Sequence, residues 1–341
     1  MLSSAALETI LDPNSNDASV LCAFDHLQIN SVDLDSLNSS IEFLRQQADL
    51  RADLAIELHE LGRVAIDCSG TGGSGVSHFN VSTSVAFVLA AAGFKIAKFG
   101  GRAASGKSGS FDFLDCLGIG SNLALHHCAD ALSLCGIAFI FAPQVYPQLR
   151  RLVPLRKQFG KPTLLNYVGP LLNPLRPAAR LMGISSDTAR QLIAQHLQQD
   201  KKTERAMLVT AGGRLDEFSI HERNLVSLVD AAADLKEFEL DPNTLPALQA
   251  ASAHNESSPE NAEETLDPQT NFRIFTRIIN GEDSSSAHFR MLLLNSAAAL
   301  LVLRACKTMS EGIVITAELL ADGAVKESVA TARRFYERLS R

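Results

Sequence analysis

Two glycine-rich loops, each lying between a predicted strand and a predicted helix, constrain the fold of this 341-residue chain more than any other feature. The first loop, Gly70–Gly75, follows the short apolar segment 64–68 and precedes the alanine-rich apolar segment 81–92. The second loop, Gly100–Gly109, follows a strand that the pattern predicts over 94–99. Strands that alternate with helices in this way predict an α/β domain with a largely parallel sheet.

The rest of the chain continues this alternation. Apolar runs predict further strands over 137–141 and 206–210, and the pattern predicts a helix from about Ser110 to near Gly118. Helical periodicity returns over 290–306 and 310–339. These segments extend the predicted α/β domain to the end of the chain.

The N-terminal part of the chain has a different pattern. Residues 1–62 are rich in helix formers, and Ser39 with Glu42 three residues later fits a capping box at a helix start. We expect a helical domain over 1–62, joined by part of 150–180, and an α/β domain over 63–341. A polar segment poor in aromatic residues, 237–267, predicts a long surface excursion.

The first glycine loop satisfies the GxGxxG pattern of dinucleotide-binding proteins and has the required strand-to-helix context. That fingerprint also requires an acid about 20 residues further on. No acid occurs between Asp67 and Asp112, and the second predicted strand carries Lys95 and Lys98 instead. Basic residues suit a 2′-phosphate, so the sequence disfavours an NAD site and leaves an NADP site open.

The second glycine loop satisfies the P-loop pattern GxxxxGK[ST] over residues 101–108. A nucleotide-hydrolysing protein also requires a later strand that ends in a magnesium-binding Asp. The strand predicted over 137–141 is followed by Ala142 and Pro143, with no acid. The sequence therefore disfavours a P-loop enzyme as well.

Both loops share a property that does not depend on either motif. Each presents backbone amides at a helix N-terminus, where unpaired donors and the helix dipole favour an anion. Two such loops about 30 residues apart favour a ligand with two separated phosphate groups. The alternative is that the glycines only form tight turns.

The distribution of charge agrees with an anionic ligand. The net charge is −7, which argues against non-specific binding to nucleic acid. Residues 68–111 nevertheless contain four Lys and Arg residues, and residues 131–186 contain seven, with no Asp or Glu in either stretch. We expect part of this cationic region to face an anionic substrate.

The cysteines and the apolar runs indicate the cellular compartment. The six cysteines form no CxxC pair and lie mostly in apolar runs, which predicts reduced thiols in a cytosolic protein. The apolar runs are too short to span a bilayer, and the N-terminus does not match a secretory signal. We therefore predict a cytoplasmic protein that does not cross a membrane.

An acidic pair, Asp216 and Glu217, follows the strand predicted over 206–210. Adjacent carboxylates on a loop suit Mg²⁺, which takes a few carboxylate oxygens and fills its remaining positions with water and substrate phosphate. A surface turn is the alternative for this pair alone. Beside two phosphate loops, the pair predicts a magnesium site.

Six motifs, in their order along the chain, resemble the anthranilate phosphoribosyltransferase family. They are Gly70–Gly73, Asn80–Thr83, Lys98–Arg102 continuing to Ser110, Pro154–Lys157, Asn166 with Gly169–Pro174, and Leu215–Glu217. The resemblance covers most of the chain from about residue 60. It implies a small helical N-terminal domain and a larger α/β domain of the nucleoside phosphorylase and phosphoribosyltransferase type, in a homodimer.

The resemblance implies 5-phosphoribosyl 1-pyrophosphate and an aromatic acceptor as small-molecule substrates, with Mg²⁺ as cofactor. Lys98 and Arg156 are the implied catalytic residues, and Ser82, Asp216 and Glu217 are the implied metal ligands. The implied contacts to 5-phosphoribosyl 1-pyrophosphate are Gly70, Gly73, Ser74, His78, Asn80, Val81, Ser82, Thr83, Lys98, Gly100, Gly101, Arg102, Ser105, Gly106 and Ser110. The implied contacts to the acceptor are Gly70, Phe99, Gly101, Tyr146, Arg156 and Pro170.

The chain departs from the family pattern at four positions. Ser74 stands where the first loop of the family has an acid, and Phe99 and Gly101 replace a His and an Asn in its second loop. Tyr146 replaces a His that precedes proline. Three of these changes lie on the acceptor side, so we expect an altered preference for the acceptor.

Two other functions stay open at this point. A phosphorylase of the same fold would cleave nucleosides with inorganic phosphate. A non-catalytic relative would bind phosphates or nucleic acid through the cationic region, although the net charge makes nucleic acid an unlikely partner.

Overall fold

A computed structural model describes residues 2–50, 52–72, 79–103, 108–121, 123–251 and 266–339. These residues contain one seven-stranded mixed sheet in the order β3-β2-β1-β4-β5-β6-β7. Its strands are β1 (Ala65–Gly70), β2 (Lys95–Gly100), β3 (Ile137–Phe141), β4 (Ala179–Gly183), β5 (Arg205–Ala211), β6 (Asn224–Asp230) and β7 (Ala233–Leu240). The first five strands in this order are parallel, and β6 and β7 are antiparallel, which confirms the predicted α/β class.

The strand order creates a crevice at the centre of the sheet. From β1 the chain moves outward to β2 and β3 on one side, whereas β4 and β5 continue on the other side. Ligands of open α/β sheets bind where the order reverses in this way, beyond the carboxyl ends of the strands. Here those ends are Gly70 and Gly183, which are paired in register.

The helices that the structure describes are α1 (Leu2–Leu11), α2 (Asp17–Asp25), α3 (Leu34–Gln46), α4 (Ala52–Gly62), α5 (Val81–Ala91), α6 (Ser110–Cys116), α7 (Cys128–Leu134), α8 (Ala142–Val145), α9 (Leu152–Phe159), α10 (Leu164–Val168), α11 (Asp187–Gln199), α12 (Pro246–Ala250), α13 (Pro268–Ile279), α14 (Ala287–Val302), α15 (Met309–Ala321) and α16 (Ala324–Leu339). Helices α5 and α6 follow the two glycine loops, as predicted. Helices α14 to α16 account for the helical periodicity near the C-terminus.

Two sequence-based predictions of local structure are wrong. The capping box at Ser39 does not start a helix, because α3 already begins at Leu34, where the Asp33 side chain accepts a hydrogen bond from the Ser36 amide. The predicted surface excursion is also too long. Its first residues, 237–240, belong to β7, and α12 follows a few residues later.

The N-terminal helices pack against the segment that follows β3. The rings of Phe24 and Phe159 lie 5.4 Å apart, and the Leu164 amide donates to the Leu27 carbonyl over 2.6 Å. The Arg151 guanidinium donates to the Ile10 carbonyl over 2.7 Å. These contacts support a helical domain that includes part of 150–180, although its boundaries stay a prediction.

Helix α5 lies in the core, since eight of its eleven residues are buried and six of these eight are apolar. It packs on β1 and β2 and contacts α14 and α16. All six cysteines are free thiols, and four of them are buried. No helix in the described part of the chain is long and apolar enough to cross a membrane.

Candidate active site

The predicted phosphate and metal residues converge at the carboxyl ends of β1, β2, β4 and β5. Gly70 ends β1, Gly100 ends β2 and Gly183 ends β4, while Asp216 and Glu217 lie in the loop after β5. The sequence separates the first glycine loop from the acidic pair by more than 140 residues, and the parallel sheet brings them together.

Asp216 contacts the first glycine loop directly. The Gly72 amide donates to Asp216 Oδ2 over 2.7 Å. A Cβ on Gly70 would overlap Asp216 Oδ2, and a Cβ on Gly183 would overlap the Asp216 carbonyl group. Glycine is therefore required at both positions because the acidic loop passes directly over them.

The three predicted metal ligands share one small pocket. Ser82, Asp216 and Glu217 line it together with Cys68 and other residues. Burial and the neighbouring Asp216 raise the pKa of the Glu217 carboxyl well above its usual range. A bound cation would favour the ionised form of such a carboxyl.

This donor set fits Mg²⁺. Within the described ranges, no group of three or more His, Cys, Asp and Glu side chains comes together as a metal site. Two carboxylates and one hydroxyl nevertheless suffice for Mg²⁺, because this ion keeps several waters and binds substrate phosphates.

Asn295 on α14 is a supporting residue that the sequence did not indicate. Its side chain accepts from the Phe218 amide over 3.0 Å and donates to the Phe218 carbonyl over 3.0 Å. It is 4% exposed and lies next to the acidic pair. A buried amide in an apolar helix was the only signal that could have identified it.

Lys98 is buried beside the pocket of the predicted metal ligands. Its ammonium group donates to the Cys68 carbonyl over 2.6 Å and to Ser82 Oγ over 3.3 Å. Burial lowers the pKa of Lys98, and the charge of Asp67 opposes that shift. The predicted electrostatic residue therefore lies one hydrogen bond from a predicted metal ligand.

The second glycine loop is closed by an acid that the sequence did not single out. Asp112 Oδ2 accepts from the amides of Ala103 and Gly109, both over 2.9 Å. Arg102, a predicted substrate residue, pairs with Asp112 over 3.1 Å and with Asp115 over 2.5 Å.

Asn80 and Ser110 connect the second glycine loop to its surroundings. Ser108 Oγ donates to Asn80 Oδ1 over 2.7 Å, and the Asn80 amide donates to Asn271 on α13 over 2.8 Å. The Asn80 side chain therefore joins the two loop regions, and it forms no capping hydrogen bond to α5. Ser110 Oγ lies close to Gly100.

The remaining predicted substrate residues fall into two groups. Val81 and Thr83 are buried in the first turn of α5, so their side chains belong to the core. Gly73, Ser74, His78, Ser105 and Gly106 lie outside the described residues.

Three residues of the predicted acceptor side lie together. Phe99 is buried, and its ring meets the ring of Tyr146 edge to face at 6.2 Å. Tyr146 Oη donates to the Leu172 carbonyl over 2.9 Å, and burial raises the pKa of this phenol. Pro170 lies two residues before Leu172, and Gly101 leaves open space around its Cα.

Arg156 is separate from these contacts. It lies on α9, and burial lowers its pKa. Among the residues that the structure describes, none forms a hydrogen bond or an ion pair with its guanidinium. The structure therefore does not join Arg156 to the glycine loops or to Phe99 and Tyr146.

Several cations of the acid-free stretch 131–186 are bound to other groups of the protein. The expectation that part of this cationic region faces an anionic substrate stays a prediction. Arg176 pairs with Asp200 over 3.2 Å, and Arg151 donates to a backbone carbonyl. Arg180 is 1% exposed and donates to the Pro170 carbonyl over 3.3 Å. Arg151 and Arg180 therefore join separate parts of the chain through backbone carbonyls, and Arg176 does so through a carboxylate.

Comparison with known proteins agrees with this site. The model of the glycosyl transferase family, a/b domain, matches residues 62–326. An anthranilate phosphoribosyltransferase from Prochlorococcus marinus is 35% identical over 288 residues, which cover 84% of this chain and 78% of that protein.

Two solved structures of the Saccharomyces cerevisiae anthranilate phosphoribosyltransferase share the fold. The complex with PRPP and Mg has a TM-score of 0.82 and 22% identity and covers 99% of this chain and 93% of its own. The complex with 4-fluoroanthranilate has a TM-score of 0.80 and 21% identity and covers 99% of this chain and 92% of its own.

The fold and the site define a glycosyltransferase of the α/β class, with glycine loops and paired carboxylates at the switch point of a parallel sheet. The match over 62–326 and the 35% identity place the chain more narrowly. This chain belongs to the anthranilate phosphoribosyltransferase family.

Proposed function

We propose that this protein transfers the phosphoribosyl group of 5-phosphoribosyl 1-pyrophosphate to an aromatic amine, anthranilate or a related acceptor, with release of pyrophosphate. An amine of the acceptor attacks C1 of the ribose while the bond from C1 to the pyrophosphate oxygen breaks. The amine then loses a proton to water. The proposal draws on the family and on the arrangement of anion-binding and cation-binding groups in one crevice.

The donor substrate fits the crevice because its two phosphate-bearing ends require two anion sites. The described amides of the first loop, Gly70 to Gly72, lie at the end of β1, and those of Gly101 to Ala103 follow the end of β2. Ser82, Asp216 and Glu217 are the residues that would hold Mg²⁺ beside the first loop. Bound Mg²⁺ supplies positive charge that neutralises the pyrophosphate.

Lys98 contributes a fixed positive charge next to this position. Lys98 is 2% exposed, and its ammonium group donates to the Cys68 carbonyl and Ser82 Oγ. Because these contacts hold the ammonium group in place, it does not need to reorganise as charge develops on the leaving group. An aromatic amine is neutral at pH 7, so the reaction requires no strong general base.

The acceptor side is more apolar than the family pattern implies. Phe99 and Tyr146 pack against each other, and the Tyr146 hydroxyl is bound to the Leu172 carbonyl. A related structure contains 4-fluoroanthranilate. We therefore propose an aromatic acceptor that is bound mainly by stacking and by apolar contact, with anthranilate as the first compound to test.

One observation supports this function most directly: a carboxylate suited to Mg²⁺, Asp216, is hydrogen bonded to the amide of a phosphate-type glycine loop at Gly72. Asp216→Asn keeps an oxygen that can accept this bond and removes the charge. We expect the Mg²⁺-dependent affinity for 5-phosphoribosyl 1-pyrophosphate to fall at least about tenfold, measured by titration calorimetry with and without Mg²⁺.

Asp322→Asn is the matched control, because Asp322 also accepts from a backbone amide, that of Ala324, over 2.9 Å. It lies after α15, outside the crevice, and its substitution should leave the affinity unchanged. Equal affinity of Asp216→Asn and the wild type would contradict the metal assignment. Failure of the wild type to bind the pyrophosphate substrate would contradict the proposed function itself.

The competing functions give different results in the same experiments. A nucleoside phosphorylase would bind inorganic phosphate and release a free base from a nucleoside without Mg²⁺-dependent binding of the pyrophosphate. The family relationship favours the transferase. A nucleic-acid-binding relative would show oligonucleotide affinity that falls steeply with salt.

We further propose that the protein is a cytoplasmic homodimer that associates through its helical domain, 1–62 with part of 150–180. The resemblance to the family supports this assembly. Light scattering after size exclusion would measure the mass in solution, and a monomer at micromolar concentration would contradict the proposal.

A further inference from the structure

Three consecutive backbone carbonyls on the acceptor side are each bound by a side chain from a different part of the fold. They belong to Pro170, Leu171 and Leu172, which lie in the segment Gly169–Asn173, here called the acceptor-side turn. All three residues are buried. Buried carbonyls require partners, but helices and strands normally provide these from the backbone.

Arg180 on β4 binds the first of these carbonyls. Its guanidinium is 1% exposed and donates from Nη1 to the Pro170 carbonyl over 3.3 Å. Burial lowers the pKa of Arg180, and the charges of Asp67 and Asp200 oppose that shift. A buried guanidinium in the centre of the sheet thus reaches the start of the acceptor-side turn.

Arg45 on α3 binds the second carbonyl. Its Nε and Nη2 atoms donate to the Leu171 carbonyl over 3.4 and 3.3 Å. Arg45 also pairs with Asp200 over 3.8 Å, and Arg176 pairs with the same carboxylate over 3.2 Å. The N-terminal helices therefore contact the acceptor-side turn through a charged and largely buried side chain.

Tyr146 binds the third carbonyl. Its hydroxyl donates to the Leu172 carbonyl over 2.9 Å, and its ring packs edge to face on Phe99. Tyr146 is 3% exposed. The Tyr146 hydroxyl is thus bound to the backbone of the acceptor-side turn.

Asn173 fastens the end of the turn to the sheet. Its side chain donates to Asp67 Oδ2 over 2.9 Å and to the Ala97 carbonyl over 2.7 Å. Asp67 in turn accepts from the Phe99 amide over 3.4 Å. The turn and the end of β2 are therefore joined through one buried carboxylate.

From these contacts we propose that Arg45, Tyr146 and Arg180 are positioning residues that fix the acceptor-side turn and thereby set the affinity for the aromatic acceptor. The acceptor role rests on the proposed function. These three side chains act through the backbone of the turn, because each binds one of its carbonyls. Loss of such a contact would displace groups that line the site and would weaken binding of the acceptor. The predicted donor site is held by separate contacts of Gly72, Asp112 and Asp216.

Steady-state kinetics with both substrates tests this proposal. Tyr146→Phe removes only the hydroxyl, and Arg45→Met removes the guanidinium and keeps an unbranched apolar side chain. We expect the KM for anthranilate to rise about threefold to tenfold in Tyr146→Phe and by more in Arg45→Met, because its bond is charged. The KM for 5-phosphoribosyl 1-pyrophosphate should stay within about twofold in both variants.

Tyr336→Phe is the matched control. Tyr336 on α16 is 2% exposed, and its hydroxyl accepts from the Phe139 amide over 2.7 Å. This variant loses a buried tyrosine hydroxyl that binds β3 and not the acceptor-side turn, so neither KM should change. Equal changes of both KM values, or none, in Tyr146→Phe would overturn the proposal, as would an acceptor-specific change in Tyr336→Phe.

Hydrogen exchange separates this proposal from the proposed function, because it requires no turnover. A peptide that covers residues 164–175 should exchange at least about threefold faster in Tyr146→Phe and Arg45→Met than in Tyr336→Phe. If the wild type releases no measurable pyrophosphate in the presence of anthranilate, the proposed function fails. The hydrogen-exchange rates then still decide whether the three side chains hold the turn. Unchanged exchange in all variants would overturn the positioning role.

Discussion

Gly70→Ala is the most informative single substitution because it changes the crevice by one methyl group. The added Cβ would overlap Asp216 Oδ2 and lie 3.1 Å from the Asp216 carbonyl oxygen. Gly70 does not have a positive φ, so alanine is compatible with its backbone. The substitution therefore acts on the position of the Asp216 carboxylate and not on the strand.

The expected magnitude follows from the hydrogen bond that must be lost. The carboxylate can avoid the methyl group only by leaving the Gly72 amide, to which it is bound over 2.7 Å. A hydrogen bond to a charged group contributes about 1.5–3 kcal/mol, which corresponds to roughly a 10- to 150-fold change in affinity. The site is partly exposed, and alanine restricts the unfolded chain, so the free energy of unfolding should change by only about 1 kcal/mol.

The assay is titration calorimetry with 5-phosphoribosyl 1-pyrophosphate in the presence and absence of Mg²⁺, with urea denaturation of the same samples. A Gly101→Ala variant is the comparison for stability, because a Cβ on Gly101 meets no atom within 4 Å. In an Asp216→Ala background, Gly70→Ala should have little further effect on affinity. Wild-type affinity in Gly70→Ala, or an undiminished loss in the Asp216→Ala background, would refute this reasoning.

Two further predictions concern stability. Burial and nearby Arg45 lower the pKa of His196 from 6.5 to about 4, so below pH 6.5 the unfolded chain binds a proton that the folded chain excludes. As the pH is lowered from 6.5 to about 4, the free energy of unfolding should therefore fall by roughly 3 kcal/mol. Urea denaturation of His196→Gln should show a flatter pH dependence than that of the wild type, and parallel profiles would contradict this prediction. Gly183→Ala should destabilise the protein by about 3 kcal/mol in the same assay. The added Cβ would overlap the Asp216 carbonyl group and lie 2.8 Å from the Glu217 amide nitrogen. Unchanged stability would contradict this prediction and show that the acidic loop can move away without cost.

Much of the fold could be predicted from local sequence, because strands and helices depend on periodicity and on glycine. The strand predicted over 94–99 covers most of β2, and the apolar segment from Val81 forms α5. The helix start predicted at Ser39 is wrong because the same residue pattern occurs in the middle of a helix and at its start. The observed cap, Asp33, binds the Ser36 amide and lies six residues before the predicted one.

The site was predicted less evenly. Asp216, Glu217 and Lys98 stood out as charges beside loops or within a strand, and the structure places all three around one crevice. Asp112 did not stand out, because an acid at a helix start has an ordinary local role. Its function of joining the amides of Ala103 and Gly109 depends on the loop that folds back onto it.

The sequence by itself determined the α/β class, the two glycine loops, the acidic pair and the family, because each of these depends on residues close together in the chain. Only the tertiary structure decided which distant groups meet. It placed Asp216 on the Gly72 amide, and it directed Arg180 and Tyr146 to carbonyls of the acceptor-side turn. The physical reason is that a cation or a hydroxyl binds whichever acceptor the fold leaves buried beside it, and a count of charges along the chain does not contain that information.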